Sequence, residues 1–321
     1  MFTDGPRTIT AAAELTRRGE LTPSDLLEQC LARIDRYEER VKAWVVVDRA
    51  GAREQAERLT TELKAGQNRG PLHGIPVGIK DIIDVFDLPT GCGSKLWANS
   101  IARKDATCVA RLRQAGAVIV GKTVTTPFAF LDPPVTRNPW NLDRTPGGSS
   151  SGSAAAVACG MVLGALGSQT GGSLTRPASY CGVCSLKPSY GRISVAGVLP
   201  LAPTLDHVGV MANCVRDLAI LFQAVAGPGD EPIPEVVTAT SHLMDARPHA
   251  IQLRGLFGNG AVSFRPLVND ALRLSEPDPL VRNAAVPPPG FAELPAAHKA
   301  VMATEAAEYH APRLARHPDD Y

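Results

Sequence analysis

From Thr145 to Thr175 the chain carries no charged side chain, and within that stretch Ala154–Gly167 ("AAAVACGMVLGALG") is strongly apolar. A bilayer span takes about 20 apolar residues, so this segment is too short, and too rich in glycine, to cross a membrane. It has to be buried in protein, and it reads as a buried helix followed by a strand. The "GGSSSGS" directly before it is then tied to the core. A flexible linker would ordinarily lead into polar surface, and none follows here.

The rest of the first two thirds alternates helix and strand patterns. Thr22 is a plausible N-cap, with Pro23 in the first helical position and Asp25 in the first turn. Leu26, Leu27, Leu31 and Ile34 then recur at helical spacing. Ala43–Asp48 is a short β-branched run and predicts a strand; Ala52–Lys64 predicts a helix. "GIPVGIKDIIDV" predicts a buried strand and its exit loop, Ala106–Ala115 a helix, and Ala117–Val120 a strand. Such alternation predicts an α/β layered sheet. Beyond Gly227 the stretches "AGPGDEPIPEVV" and "AAVPPPGF" predict loops, and "LPAAHKAVMATEAAEYH" predicts one late helix with Pro295 in its first turn.

The chain has 321 residues, 44% of them hydrophobic, and a formal net charge of +1. That describes an ordinary soluble globular protein, with nothing to steer it to nucleic acid or anionic lipid. "MFTDGPRTIT" lacks the basic and apolar regions of a signal peptide, so a cytoplasmic protein is expected. The seven cysteines are scattered, as reduced thiols would be. Cys181 and Cys184 form a lone CxxC without a second ligand pair, so no metal is expected.

The serine block admits several chemistries. A phosphate-binding P-loop would need a lysine after the last glycine, where Ser153 and Ala154 stand. Gly148–Gly152 matches G-x-S-x-G, the nucleophile elbow, which would make Ser150 the nucleophile of an esterase. That motif needs a strand before it, and "NPWNLDRTP" is a poor one. It also needs a downstream Asp and His, and Asp206 and His207 are merely adjacent.

A second glycine–serine turn, Gly171-Gly172-Ser173, opens the segment "GSQTGGSLTRPASYCGVCSLKPSYGRIS". Taken with Lys80 in "GIPVGIKD" and with "NPWNLDRTPGGSSSGSAAAVA", it closely resembles the amidase signature family, over most of the chain. The resemblance implies the amidase signature fold, a mixed β-sheet between layers of α-helices. It implies one domain, with an N-terminal helical segment (1–65), a signature core (66–226) and a shortened C-terminal part (227–321). It assigns Ser173 as the acylated nucleophile. Ser149, 24 residues earlier, becomes the bridging serine that follows a cis peptide bond, and Lys80 the base. Ser150 and Ser151 are then left to shape the turn and cap the next helix.

The chemistry fits these residue types. A serine hydroxyl attacks an amide only if something takes its proton, and Ser-Lys sites are an accepted alternative to histidine. A lysine can do so only when neutral, and burial is what makes it so. Ile75, Pro76, Val77 and Ile79 supply apolar surroundings for Lys80, whereas Asp81 would oppose the shift if its carboxylate turned that way. Thr170, Gly171 and Gly172, with the Ser173 N–H, would form the oxyanion hole. No cofactor is implied.

The sequence departs from the family in places. Gln169 stands where Asp is usual, and Thr175 where Arg is usual, with Arg176 following. Relatives run longer, and 228–289 looks compressed, which implies an open pocket or a chain represented in part. Substrates would be small amides or, as for urethanases, carbamates. Phe128 and Phe130 in "TTPFAFLDPP" would line the pocket, or else belong to the core. The alternatives are the catalytic subunit of a glutamine-dependent tRNA amidotransferase, which needs a complex, and a catalytically dead binding protein. A homodimer is compatible with the sequence.

Overall fold

The computed structural model describes residues 5–227 and 293–317. The compressed region 228–289 and the loop expected at "AAVPPPGF" lie outside the described residues. Residues 5–227 and 302–317 belong to one compact unit, and 293–301 to a second.

The helices begin where the local chemistry predicts. Helix α1 is Ile9–Arg17 and α2 is Pro23–Val41. At the start of α2, Thr22 Oγ1 accepts from the Asp25 N–H at 3.1 Å, and Asp25 Oδ2 accepts from the Thr22 N–H at 3.2 Å. This reciprocal capping satisfies two N–H groups that the helix cannot, and such a cap is worth about 1 kcal/mol. The helix ends at Lys42, in the left-handed region at φ 55°. The Glu38 carboxylate then accepts from the N–H groups of Ala43 and Trp44, both at 3.0 Å, and launches strand β1 (Trp44–Val47). Asp48 caps α3 (Arg49–Lys64) through the Gly51 N–H.

The remaining elements are β2 (Pro76–Lys80), α4 (Thr107–Gln114), β3 (Val118–Thr123), α5 (Ser151–Cys159), β4 (Gly164–Gln169), α6 (Thr175–Cys181), β5 (Cys184–Leu186), β6 (His207–Ala212), α7 (Val215–Val225) and α8 (Leu294–Leu314). The six strands form one mixed sheet in the order β1-β3-β2-β4-β6-β5. The central trio β3-β2-β4 is parallel; β1 pairs antiparallel with β3, β6 with β4, and β5 with β6.

Successive side chains of a strand point to opposite faces, so each strand feeds two cores. Val77, Ile79, Ile119, Leu166, Val208 and Val210 join α1, α4 and α7 on one side. Val118, Val120, Ala165 and Met211 join α2, α3 and α5 on the other. The sheet is thus sandwiched between helical layers, as expected.

Helix α5 is the buried helix read from the apolar run, and every one of its residues is buried. Its composition of small residues has a packing cause. The Gly152 N–H donates to Val124 O at 2.9 Å, and a Cβ there would fall 2.2 Å from Ala43 O and 2.3 Å from Val124 N. Ser153 Oγ donates to Leu166 O at 2.9 Å and lies 2.7 Å from Thr123 Oγ1. Only small side chains let the first turn of α5 sit this close to the ends of β3 and β4.

Candidate active site

The three segments singled out in the sequence converge at the C-terminal ends of β2 and β4. Lys80 closes β2 with no solvent exposure. Its Nζ lies 2.6 Å from Ser149 Oγ and 2.7 Å from Ser168 Oγ, and both serines are buried. The Gly148–Ser149 peptide bond is cis. Ser149 sits just before α5, held there by the Thr126 N–H donating to its carbonyl at 3.2 Å. Arg176 Nε donates to Gly148 O at 3.1 Å.

The second glycine turn, residues 170–173, leaves β4 directly and leads into α6. The two serine blocks are joined through the main chain: the Ser150 N–H donates to Ser173 O at 3.3 Å. Ser173 is 8% exposed, whereas Gly171 is open to solvent and Gly172 half-buried. The turn is braced by Gln169. Its Oε1 accepts from the N–H groups of Leu174 (2.9 Å) and Thr175 (3.0 Å) and from Thr175 Oγ1 (3.3 Å). Gln169 and Thr175, two separate departures in the sequence, are therefore partners in one neutral arrangement at the start of α6.

Burial pushes the Lys80 ammonium down to about 7, against the opposing pull of Asp206. A substantial neutral fraction at physiological pH is thus built into the fold. Asp81, the neighbour that threatened this, faces elsewhere: its Oδ1 lies 3.1 Å from Lys122 Nζ.

Ser150 has a different role from Ser149. Its Oγ donates to Ser168 O and accepts from the Ser168 N–H, both at 3.2 Å, with no exposure to solvent. No strand precedes it, and His207 points Nδ1 at Leu205 O, 2.7 Å away. The nucleophile-elbow geometry is absent. Ser150 stands at the N-cap of α5 and its carbonyl accepts from the Ala154 N–H at 3.2 Å, but neither its side chain nor that of Ser151 bonds to a free N–H of that helix. Ser151 Oγ donates instead to Ser149 O at 3.4 Å. Nearby backbone groups, at Ser168 for one serine and Ser149 for the other, offer them better partners than the helix end does.

Phe128 and Phe130 lie on a short helical turn, Pro127–Ala129, and its cap, where Phe128 adopts φ 50°. Both line a cavity of about 660 Å³, together with Leu201, Lys95, Asp132 and His310. His310 comes from α8, and its ring meets Phe128 edge-on at 4.8 Å. Phe130 is 41% exposed, so the core reading does not hold for it.

Three polar groups of the site carry no local signal that marks them. Ser168 is one serine among several in an uncharged run. Asp206 suggests itself only as a partner for His207. Lys122 sits in "AVIVGKTV", an apolar run that says nothing of Asp81 as its partner.

Residues 25–250 match the Amidase family. The chain belongs to the amidase family. Among curated proteins it is similar to a glutamyl-tRNA(Gln) amidotransferase subunit of Roseiflexus castenholzii, with 48% identity over 226 residues, covering 68% of this chain and 46% of that protein. The chain spans about half the length of the curated relatives it matches. Among solved structures it resembles the native peptide amidase of Stenotrophomonas maltophilia (28% identity, TM-score 0.77, 97% of this chain and 69% of the other). It also resembles a structure described as a vestigial protein complex that reveals the origins of an s-triazine catabolic enzyme (31% identity, TM-score 0.84, 98% and 71%). Among the described residues, no helix is long and apolar enough to cross a membrane.

Proposed function

We propose that this protein hydrolyses the C–N bond of small amides or carbamates through an acyl-enzyme on Ser173. The observation that carries the reading is the buried Lys80 amine, 2.6 Å from Ser149 Oγ. A neutral amine has a lone pair, and at this distance it can accept the hydroxyl proton. As Lys80 takes the proton of Ser149, Ser149 takes that of Ser173. Ser173 Oγ then bonds to the carbonyl carbon, whose oxygen becomes the oxyanion. The N–H groups of the turn at Thr170, Gly171, Gly172 and Ser173 stabilise that charge. The intermediate collapses, the C–N bond breaks, and the proton returns along the relay to the leaving nitrogen. Water, activated by the same relay, releases the acyl group.

Phe128 and Phe130 favour an apolar or aromatic acyl group in the cavity they line. Thr126 connects this wall to the site, since its N–H holds the Ser149 carbonyl.

A second reading rests on the 48% identity to the glutamyl-tRNA(Gln) amidotransferase protein. There the same serine would release nitrogen from glutamine for a partner-bound acceptor. One screen separates the two: amides, carbamates and glutamine as substrates, with Ser173→Ala protein as blank. Hydrolysis of aryl amides or carbamates without partners supports the first reading. Turnover of glutamine alone, rising when the other amidotransferase subunits are added, supports the second. Full activity of Ser173→Ala would sink both.

A further inference from the structure

Asp206 stands where β6 begins, and the antiparallel pairing of β4 with β6 explains what it meets. Gln169 pairs with His207, so the next pair outward is Thr170 with Asp206. Thr170 Oγ1 donates to Asp206 Oδ1 at 2.5 Å. The other oxygen, Oδ2, accepts from the N–H groups of Leu201 (2.8 Å) and Ala202 (3.0 Å). The turn is closed further by the Asp206 N–H donating to Ala202 O at 2.8 Å. Asp206 therefore joins the first residue of the 170–173 turn to the loop at 201–206. Both oxygens are used, and the side chain is partly buried beside Lys80's own partner: Ser168, Thr170 and Asp206 line one small cavity.

We propose that Asp206 is a positioning residue of this site, clamping Thr170 so that the oxyanion turn is held, and setting a carboxylate beside Lys80. The proposal rests on the Ser173–Ser149–Lys80 reading above. Its electrostatic side follows from the neighbours. Lys80 is the charged group that acts on Asp206, and Asp206 is the one that acts on Lys80. Cys92 is buried and its thiol is held neutral by that burial. His207 turns its ring away, toward Leu205 O and Lys187 Nζ. Burial makes Lys80 a base by disfavouring its charge, and Asp206 restrains that effect. The same carboxylate also supplies the Thr170 bond, so position and proton affinity are linked through one side chain.

The test is the rate at which a fluorophosphonate labels Ser173, located by peptide mass mapping, from mildly acidic to mildly alkaline pH. Wild type, Asp206→Asn and Thr170→Val are compared. In wild type the rate rises through a midpoint near the Lys80 value of about 7. Asp206→Asn removes the charge, so Lys80 loses its proton more easily, and the midpoint moves to lower pH. Its plateau rate falls about tenfold to a hundredfold as the turn loosens. Thr170→Val keeps the charge and breaks the clamp, so its plateau falls by a similar factor while its midpoint stays. A residue that merely closed the 201–206 turn would not move the midpoint. If wild type is not labelled at Ser173, the functional reading fails and this one with it. If wild type is labelled and Asp206→Asn matches it in midpoint and plateau, only the Asp206 proposal is overturned. Should Asp206→Asn not fold, an unchanged plateau in Thr170→Val overturns the clamp on its own.

Discussion

The Lys122 ammonium and the Asp81 carboxylate face each other at 3.1 Å, and neither is more than 1% exposed. Lys122 Nζ also donates to Pro89 O at 2.7 Å and to Thr90 Oγ1 at 3.0 Å. Burial pushes Asp81 up and Lys122 down, and each charge offsets the effect on the other. The pair bears on the site because Asp81 is the residue after Lys80. The two neighbours have separate partners: Lys80 hydrogen-bonds to two serines, and Asp81 faces the second lysine. A counter-charge adjacent in sequence is thereby kept from holding Lys80 in its charged form.

Removing one partner from such a pair leaves an uncompensated charge in the interior. Lys122→Met is therefore expected to lower the unfolding free energy by about 3–5 kcal/mol, read from urea denaturation. Adding Asp81→Leu should recover much of the loss, because apolar replacement of a whole buried pair is often neutral or better. A single variant as stable as wild type would show that the pair contributes nothing to the fold.

The outline of this arrangement is legible in the sequence because it depends on short-range patterns. The capping of α2 by Thr22 and Asp25 is local chemistry, and β2 and α5 announce themselves as apolar runs. Ser149, Ser173 and Lys80 stand in motifs long enough to be specific. Strands β5 and β6 and helices α6 and α7 are not legible in the same way. Cys184–Leu186 has only three residues, and β6 is interrupted by Gly209. That glycine is there because a Cβ would fall 2.4 Å from Leu186 O, a fact about strand pairing that no local window contains. The same limit hides Ser168, Asp206 and Lys122. Each acquires its meaning from a residue far away in the chain or on another strand, and pairing register decides which polar side chains meet.

The serine block provides a direct contrast. Ser150→Ala removes both hydrogen bonds that tie this residue to Ser168, so it should cost about 1–3 kcal/mol of stability while acyl transfer persists. Ser173→Ala should leave stability nearly unchanged and reduce turnover on the order of a million-fold. Thermal melts and single-turnover kinetics on the two variants check this. Loss of acyl transfer in Ser150→Ala, with Ser173→Ala active, would restore the elbow reading.

The activity should depend on pH through Lys80. Its amine must be neutral to take a proton, and its value is about 7, so turnover should rise through that pH and level off above it. The rise should be present with substrates whose chemical step is rate-limiting. Lys80→Ala should abolish it, along with most of the activity. A flat profile across this range would contradict a lysine base.

The same residue should lower the stability of the fold, most strongly at low pH. Lys80 has a folded-state value of about 7 against 10.5 for the ordinary side chain. Below about 7 both folded and unfolded states carry the proton, so the folded state bears the whole cost of a buried ammonium. Between about 7 and 10.5 the unfolded chain binds the proton and the folded chain does not. Stability then rises with pH by about 1.4 kcal/mol per unit from this group. Lys80→Met removes the buried charge, at the cost of hydrogen bonds to Ser149 and Ser168. Its stability relative to wild type should therefore be greatest at mildly acidic pH and decline steadily as the pH is raised through this window. Urea titrations of both proteins at a series of pH values measure the difference. A difference that stays constant with pH would mean that Lys80 releases its proton no more readily in the folded protein than in the unfolded chain. The relay to Ser149 would then lack its base.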